Sequence, residues 1–227
     1  MLSRSVRDSA AFLDAIKLDK SHPYPLPDSP TSFYDALLRP EVGARKLRIA
    51  VQFQHPGGEV LDEDCVTAVR TAVKLCESLG HHVEEVPHPV DHAVAGRAMS
   101  RLINTFTFQA VHKRAEQLQL SLEDCPIESS TRSMAQRGQA VSASAYVDAR
   151  NCLLVAEQQL RDFYRQYDVI VQPVLSKVPA KLGWLDMDSD DLRTYGSRFT
   201  AYSGFSALAN GTGLPSMSVP MAKTDSN

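Results

Sequence analysis

The sequence lacks the features that would place the chain in a membrane or on a nucleic acid. No uninterrupted apolar run approaches the roughly 18 residues that a membrane-spanning helix needs. Residues 1–8 are mostly polar or charged where a signal peptide would become apolar, so we expect a cytoplasmic protein. The net charge of -3 provides no attraction for phosphate backbones or anionic lipids. We therefore expect neither nucleic acid nor a membrane among its partners.

Cysteine is also scarce, with four residues and no C-x-x-C pair. This spacing argues against a disulfide scaffold and against a zinc ribbon. No motif that activates a thiol surrounds any of them, so reduced structural cysteines are favoured over a cysteine nucleophile. They are Cys65, Cys76, Cys125 and Cys152.

Two further patterns fall short of a metal site. The acidic loop 186–191 lacks the glycine and the final glutamate of a calcium-binding loop, which favours a solvated turn. Four of the seven histidines lie between residues 81 and 92 and have the chemistry to hold zinc. Pro87 and Pro89 interrupt any helix that would align the later pair, and neighbouring strand positions point the earlier pair apart. We therefore predict solvated histidines at strand ends and no metal site. The four are His81, His82, His88 and His92.

What is present is an ordinary globular composition, with 43% hydrophobic and 22% charged residues among 227. Ser5 followed by Asp8 predicts a capped helix that runs to about Ile16. The proline-rich stretch 20–30 predicts an extended surface connection.

An alternation of strands and helices predicts an α/β fold. Residues 48–53 read as a strand, 63–79 as a helix that ends at Gly80, and 82–86 as a second strand, which together form a right-handed βαβ unit with parallel strands. Residues 143–167 show helical periodicity and lead into an apolar strand at 168–173, interpreted as buried and central.

The remaining segments give weaker signals. Residues 91–120 predict one long helix or two consecutive ones, and 195–209 predict a helix despite Gly204. The cluster 210–215 predicts a turn, and 217–219 a further strand. The polar, serine-rich stretch 123–137 yields no assignment.

Three segments, in order, carry a resemblance to a known family. Leu2–Ala10 (LSRSVRDSA) resembles the R-[ST]-V-x-D-A-A helix start of the amidase signature family. Tyr167–Val174 (YDVIVQPV) is similar to its Y-D-x-[IL]-[LV]-x-P strand, and Asn210–Met221 (NGTGLPSMSVPM) to its N-x-T-G-x-P-x-x-[ST]-x-P-M element. Within the family, the last segment and the loop Trp184–Asp186 are similar to 6-aminohexanoate cyclic dimer hydrolases.

The resemblance implies an α/β fold with a mixed β-sheet core flanked by helices on both faces. It also implies that residues 1–227 are a partial amidase domain, incomplete at both ends, that lacks the N-terminal catalytic segment and the C-terminal strand and helix. The family hydrolyses C–N bonds with a lysine, a bridging serine preceded by a cis peptide, and a nucleophilic serine in a glycine-rich loop. The resemblance thus implies a reaction without a metal or an organic cofactor. None of these has a counterpart here, so we expect no catalytic residue on the chain and no activity from it alone.

The resemblance and the residue types together suggest a pocket wall. Apolar and aromatic side chains suit a small linear or cyclic amide with an aliphatic body, although the same residues could simply pack the core. The candidates are Pro173, Val174, Trp184, Tyr202 and Phe205. A turn near the active site is expected at Asn210, Thr212, Gly213 and Pro215. The alternative for that turn is an anion cradle made of backbone amides.

Other functions stay open at this point. The chain could be a non-catalytic pseudo-enzyme, or a module that completes an active site with a partner chain. The absence of a G-x-S-x-G motif argues against an unrelated α/β hydrolase with its own serine nucleophile. A homodimer is a further possibility.

Overall fold

The computed structural model describes residues 2–17, 32–39 and 44–223. The chain divides into two compact units, Met1–Leu47 and Arg48–Asn227. The proline-rich stretch 20–30 lies outside the described residues, so its interpretation as an extended connection stays a prediction.

The first unit contains helix α1 (Val6–Ile16) and the short helix α2 (Phe33–Leu37). The Ser5 hydroxyl accepts a hydrogen bond from the backbone N–H of Asp8 at 3.1 Å, which confirms the predicted cap. The Asp14 carboxylate accepts hydrogen bonds from the first backbone amides of α2 at 2.9 Å each. These bonds, chiefly the one from Tyr34, lower the pKa of Asp14.

The second unit is built on a sheet of three parallel strands. They are β1 (Arg48–Val51), β2 (His82–Glu85) and β3 (Val169–Val171), in the order β2-β1-β3. Helix α3 (Glu63–Ser78) joins β1 to β2, so the predicted βαβ unit with parallel strands is confirmed. Gly80 follows this helix with a φ of 82°, as a C-terminal glycine does.

The position of β3 differs from the prediction. The central strand is β1, whose residues Ile49, Ala50 and Val51 are at most 3% exposed, whereas Val169 on β3 is 40% exposed. An apolar run cannot distinguish a central strand from a strand at the edge of the described sheet. The predicted mixed sheet shows only parallel pairing among the three described strands.

Three helices carry most of the core. They are α4 (His92–Leu118), α5 (Ser129–Gln139) and α6 (Ala143–Phe163). Helix α4 is one continuous helix, which resolves the alternative of two. The larger buried cluster lies between α4 and α6, and a smaller one, formed by Val111, Ala115, Cys125 and Ala135, lies between α4 and α5.

Near the end of the chain the predicted pattern is wrong in two places. The predicted helix 195–209 is two helices, α7 (Leu192–Ser203) and α8 (Ala207–Thr212), with a break at Gly204. Asn210 and Thr212 are thus helical, and the predicted strand 217–219 is irregular because no described strand pairs with it. Among the described residues, no helix is long and apolar enough to cross a membrane.

Candidate functional site

The carboxyl ends of the parallel strands define the place to look for a site. In open α/β sheets, ligands bind in the crevice beyond these ends, because the loops that follow neighbouring strands meet there. Here the loop after β1 brings His55 against Phe205, with ring centroids 5.3 Å apart and an edge-to-face arrangement. The Gln172 side chain, just after β3, donates to the carbonyl of Phe205 at 3.2 Å. We call His55, Gln172 and Phe205 the carboxyl-edge cluster.

His55 is the most buried imidazole of this region, with 5% of its surface exposed. Its Nδ1 accepts a hydrogen bond from the backbone N–H of Gly57 at 2.9 Å, so the proton of the neutral ring lies on Nε2. Nε2 is buried and lies against Gly204. Burial lowers the pKa of His55, despite the opposing effects of the Glu59 charge and of a backbone hydrogen bond with Thr200. His55 is therefore a neutral donor at neutral pH.

His55 also lines an open groove of about 420 Å³. The groove is mostly apolar on the side of α3 and polar at the β1 turn. Its other lining residues are Phe53, Gln54, Gly58, Glu59, Val60, Leu61 and Val66.

Two of the crowded histidines come together, contrary to the expectation that proline would keep them apart. The rings of His88 and His92 have centroids 4.0 Å apart, because Pro87 and Pro89 leave His88 in the turn just before the start of α4. Burial and the neighbouring His92 lower the pKa of His88 to about 4. Burial also lowers the pKa of His92, with a further contribution from His55. These two rings are thus partly buried and neutral rather than solvated.

This histidine pair predicts a dependence of stability on pH. Between about pH 6.5 and 4 the unfolded chain binds a proton at residue 88 that the folded chain does not, so stability is full above this window and falls as the pH is lowered through it. After allowance for partial exposure, we expect a loss of roughly 2 kcal/mol across the window. Urea denaturation at a series of pH values measures it. His88→Asn keeps an acceptor for the N–H of Val90 and should flatten the slope. An unchanged slope in His88→Asn would contradict the assignment.

The five pocket-wall candidates are not all in one place. Phe205 is 3% exposed and touches His55, and Pro173 is buried after β3. Trp184 and Tyr202 pair edge to face with centroids 5.9 Å apart. Val174 is 49% exposed. The structure therefore places Phe205 in the carboxyl-edge cluster, whereas Trp184 and Tyr202 form a separate aromatic pair.

Ser176, which no sequence pattern indicated, is a buried residue that connects the loop after β3 with α7. Its side chain is fully buried, its hydroxyl donates to the carbonyl of Ala201 at 2.6 Å, and its backbone N–H donates to that of Tyr202 at 3.1 Å. It thereby ties the loop after β3 to the end of α7. His55 was likewise not predicted, although a polar residue a few positions beyond a parallel strand and before a Pro-Gly-Gly turn was a usable signal.

The turn residues near the chain end have a capping role. Gly213 is left-handed, with a φ of 71°, and the backbone N–H of Leu214 donates to the carbonyl of Ala209 at 3.0 Å. The Thr212 hydroxyl donates to the carbonyl of Leu208 at 2.8 Å. Because these donors are bonded to carbonyls at the end of α8, they are not available to form the anion cradle that was the alternative for this turn. Asn210 lies on the exposed side of α8, and Pro215 is exposed beyond the helix.

A cysteine nucleophile and a metal site, the other candidates from the sequence, lack a supporting arrangement of side chains in the part of the chain that the structure describes. Burial raises the pKa of Cys65 and of Cys76, which keeps both thiols protonated. No three His, Cys, Asp or Glu side chains in that part are grouped so that they could hold a metal ion.

Fold and site together define an α/β protein whose polar and aromatic residues meet at the carboxyl edge of a parallel sheet. The family model for amidases matches residues 1–227. The chain therefore belongs to the amidase family, and the expectation from the three motifs is confirmed.

Similar proteins agree with this membership. The chain is 23% identical to an "Amidase" of Pseudomonas putida, over 96% of this chain and 45% of that protein. It is also 23% identical to the "6-aminohexanoate-cyclic-dimer hydrolase" of Paenarthrobacter ureafaciens, over 97% of this chain and 46% of that one.

A solved structure of 6-aminohexanoate cyclic dimer hydrolase matches with a TM-score of 0.76 at 21% identity, over 93% of this chain and 45% of that chain. At this identity the likeness establishes the fold. The chain thus spans about half the length of the relatives that it matches.

Proposed function

We propose that this chain is the pocket-forming part of an amidase that hydrolyses C–N bonds in small amides. The observation that carries the proposal is the match of the amidase family model to residues 1–227, although the chain spans only about half of its relatives. The nucleophilic serine, the bridging serine and the lysine would then come from amidase sequence outside the matched part. The chain would supply the sheet and one side of the pocket.

The carboxyl-edge cluster suits this role. The buried ring of Phe205 packs against the neutral His55, and His55 lines the groove without adding a charge to its wall. An amide with an aliphatic body loses little by contacting such a surface, since apolar burial is favourable and no ion has to be desolvated. The name of the relative from Paenarthrobacter ureafaciens suggests a cyclic amide of this kind as substrate.

The first test is activity of the purified chain. We expect no hydrolysis above the buffer rate for small linear amides or for 6-aminohexanoate cyclic dimer, because the lysine and the two serines of the amidase mechanism have no counterpart in this sequence. Release of primary amine measures it. Measurable turnover by the chain alone would contradict the proposal.

The matched comparison joins the chain to the coding sequence that precedes it in its genome. If that sequence encodes a glycine- and serine-rich loop with a lysine before it, the joined polypeptide should hydrolyse amides, again measured by release of primary amine. An unrelated upstream sequence would favour a non-catalytic module instead.

The four cysteines are free, which supports a reducing compartment and hence our proposal of a cytoplasmic location.

A further inference from the structure

The open groove of about 420 Å³ beside His55, which we call the β1 groove, carries a single formal charge. Its volume lies in the range of small-molecule sites, roughly 300–1,000 Å³. Among its lining residues only Glu59 is charged at neutral pH, because burial keeps His55 neutral. The groove therefore combines an apolar wall with one negative charge. The apolar part of the wall is formed by Phe53, Val60, Leu61 and Val66.

The carboxylate of Glu59 is available to a ligand. Glu59 is exposed, and its negative charge reaches the ring of His55. Two acidic residues that follow it are already paired. Asp62 lies 3.7 Å from the ammonium of Lys177, and Glu63 lies 3.1 Å from the guanidinium of an arginine on α3. Among the described residues, Glu59 is therefore the carboxylate of this loop segment that can attract a cation from solution.

The loop that forms the β1 groove is held at both of its ends. At the start, the backbone N–H of Gly58 donates to the carbonyl of His55 at 2.9 Å. At the end, the backbone N–H of Asp62 donates to the carbonyl of Ser176 at 2.8 Å, and its carboxylate accepts from the N–H of Val178 at 3.2 Å. A wall fixed in this way loses little conformational freedom when a ligand binds, which favours affinity.

We propose that the β1 groove is the subsite for the amine half of the amide and binds an aliphatic primary ammonium ion. Hydrolysis breaks the C–N bond, adds the oxygen of water to the acyl carbon, and leaves a carboxylate and a protonated amine at neutral pH. Glu59 attracts the ammonium and repels the carboxylate, while the apolar wall covers the aliphatic body. The ammonium stays at an exposed carboxylate, so it keeps most of its water. The role as a subsite rests on the proposed function.

Binding to the purified full chain tests the charge preference. The probes are hexylamine, hexan-1-ol and hexanoate, which share one aliphatic body and differ in charge. Chemical shifts of the nitrogen-15-labelled chain follow each titration at neutral pH and low ionic strength. Hexylamine should bind about two- to fivefold more tightly than hexan-1-ol, hexanoate should bind more weakly than either, and the shifts should centre on residues 58–61. Equal affinities for hexylamine and hexan-1-ol, tighter binding of hexanoate, or no binding would overturn the proposal.

A pair of variants assigns the preference to one carboxylate. Glu59→Gln keeps the size of the side chain and removes its charge, so hexylamine should bind no more tightly than hexan-1-ol. Glu63→Gln makes the same change at an exposed position that does not line the groove, and it should leave the preference within about twofold of the unchanged chain. Equal losses of the preference in the two variants would overturn the proposal.

Inhibition of the joined polypeptide separates this proposal from the proposed function, with turnover followed as loss of the amide by chromatography. Hexylamine should inhibit more strongly than hexan-1-ol, and Glu59→Gln should remove the difference. An active polypeptide that both compounds inhibit equally would leave the function standing and remove the subsite. An inactive polypeptide, together with a chain that prefers hexylamine through Glu59, would count against the proposed function alone and leave the ammonium site standing.

Discussion

Replacing Gly138 with alanine is expected to destabilise the chain by about 3 kcal/mol, one of the two largest effects of a single substitution that we anticipate. Gly138 lies on α5 where that helix crosses α4. An added Cβ would lie 1.9 Å from the carbonyl oxygen of Asn104 and 2.9 Å from the Cβ of Phe108. The first of these is a backbone atom in the middle of a helix, so the overlap is relieved only by moving the two helices apart. Urea denaturation followed by circular dichroism measures the loss.

Gly96 provides the matched control because it lies inside α4 and a Cβ there would meet nothing within 4 Å. Gly96→Ala should raise stability by about 0.5–1 kcal/mol, since alanine loses less backbone entropy in a helix. A Gly138→Ala variant as stable as the wild-type chain would show that α4 and α5 do not pack as described.

Replacing Arg132 with alanine is the second large expected effect, again about 3 kcal/mol. Its guanidinium donates to the carbonyls of Leu122 at 2.6 Å and Cys125 at 2.8 Å, and to that of Glu123 as well. These carbonyls belong to the loop between α4 and α5, and the Cys125 side chain is packed in the smaller core cluster. Removal of the guanidinium leaves partly buried acceptors without donors, which costs more than the bonds contribute.

Two comparisons isolate this role. Arg132→Lys keeps the charge but lacks the planar fork that reaches several carbonyls, so it should recover less than half of the lost stability. Arg137→Ala removes an exposed arginine of the same helix that makes one bond, to the carbonyl of Ser133 at 3.2 Å, and should change stability by less than about 0.5 kcal/mol. Equal losses at positions 132 and 137 would contradict the loop-holding role. Urea denaturation measures the free energy of unfolding of all three variants.

The sequence predicts the elements that have a strong local signal. The βαβ unit is bounded by a Pro-Gly-Gly turn and by Gly80, and its helix carries a regular apolar stripe. Helix α6 shows the same periodicity, although it ends at Phe163, four residues before the predicted end. The capped start of α1 needs only Ser5. In each case, the residues that decide the structure are neighbours in the chain.

The sequence-based predictions are wrong or missing where residues that are distant in the chain determine the structure. Helix α5 is polar, and its buried residues Ala135 and Gly138 are small, so its stabilising contacts with α4 leave no hydrophobic pattern. The absence of a side chain at residue 204 depends on the imidazole of His55, whose Nε2 would lie 2.4 Å from an added Cβ. The residues 217–219 have strand-forming chemistry, but a strand also requires a neighbour with which to pair.

The candidate site shows the same division. Residue type made Phe205 a candidate for either a pocket wall or the core, and the structure packs it, buried, against His55. No local pattern indicates that a histidine after β1 contacts a phenylalanine so much later in the chain, because that contact is created by the parallel sheet and by the loop anchored through Ser176.

The pairing of Trp184 with Tyr202 has a practical consequence. Trp184 is the only tryptophan in the sequence, and the guanidinium of Arg198 lies 5.5 Å from the centre of its ring. Arg198 and Tyr202 are both on α7, so the emission of the native chain reports the contact between one loop and one helix. Fluorescence quenching can therefore follow the contact between this loop and α7 during unfolding, without any introduced label.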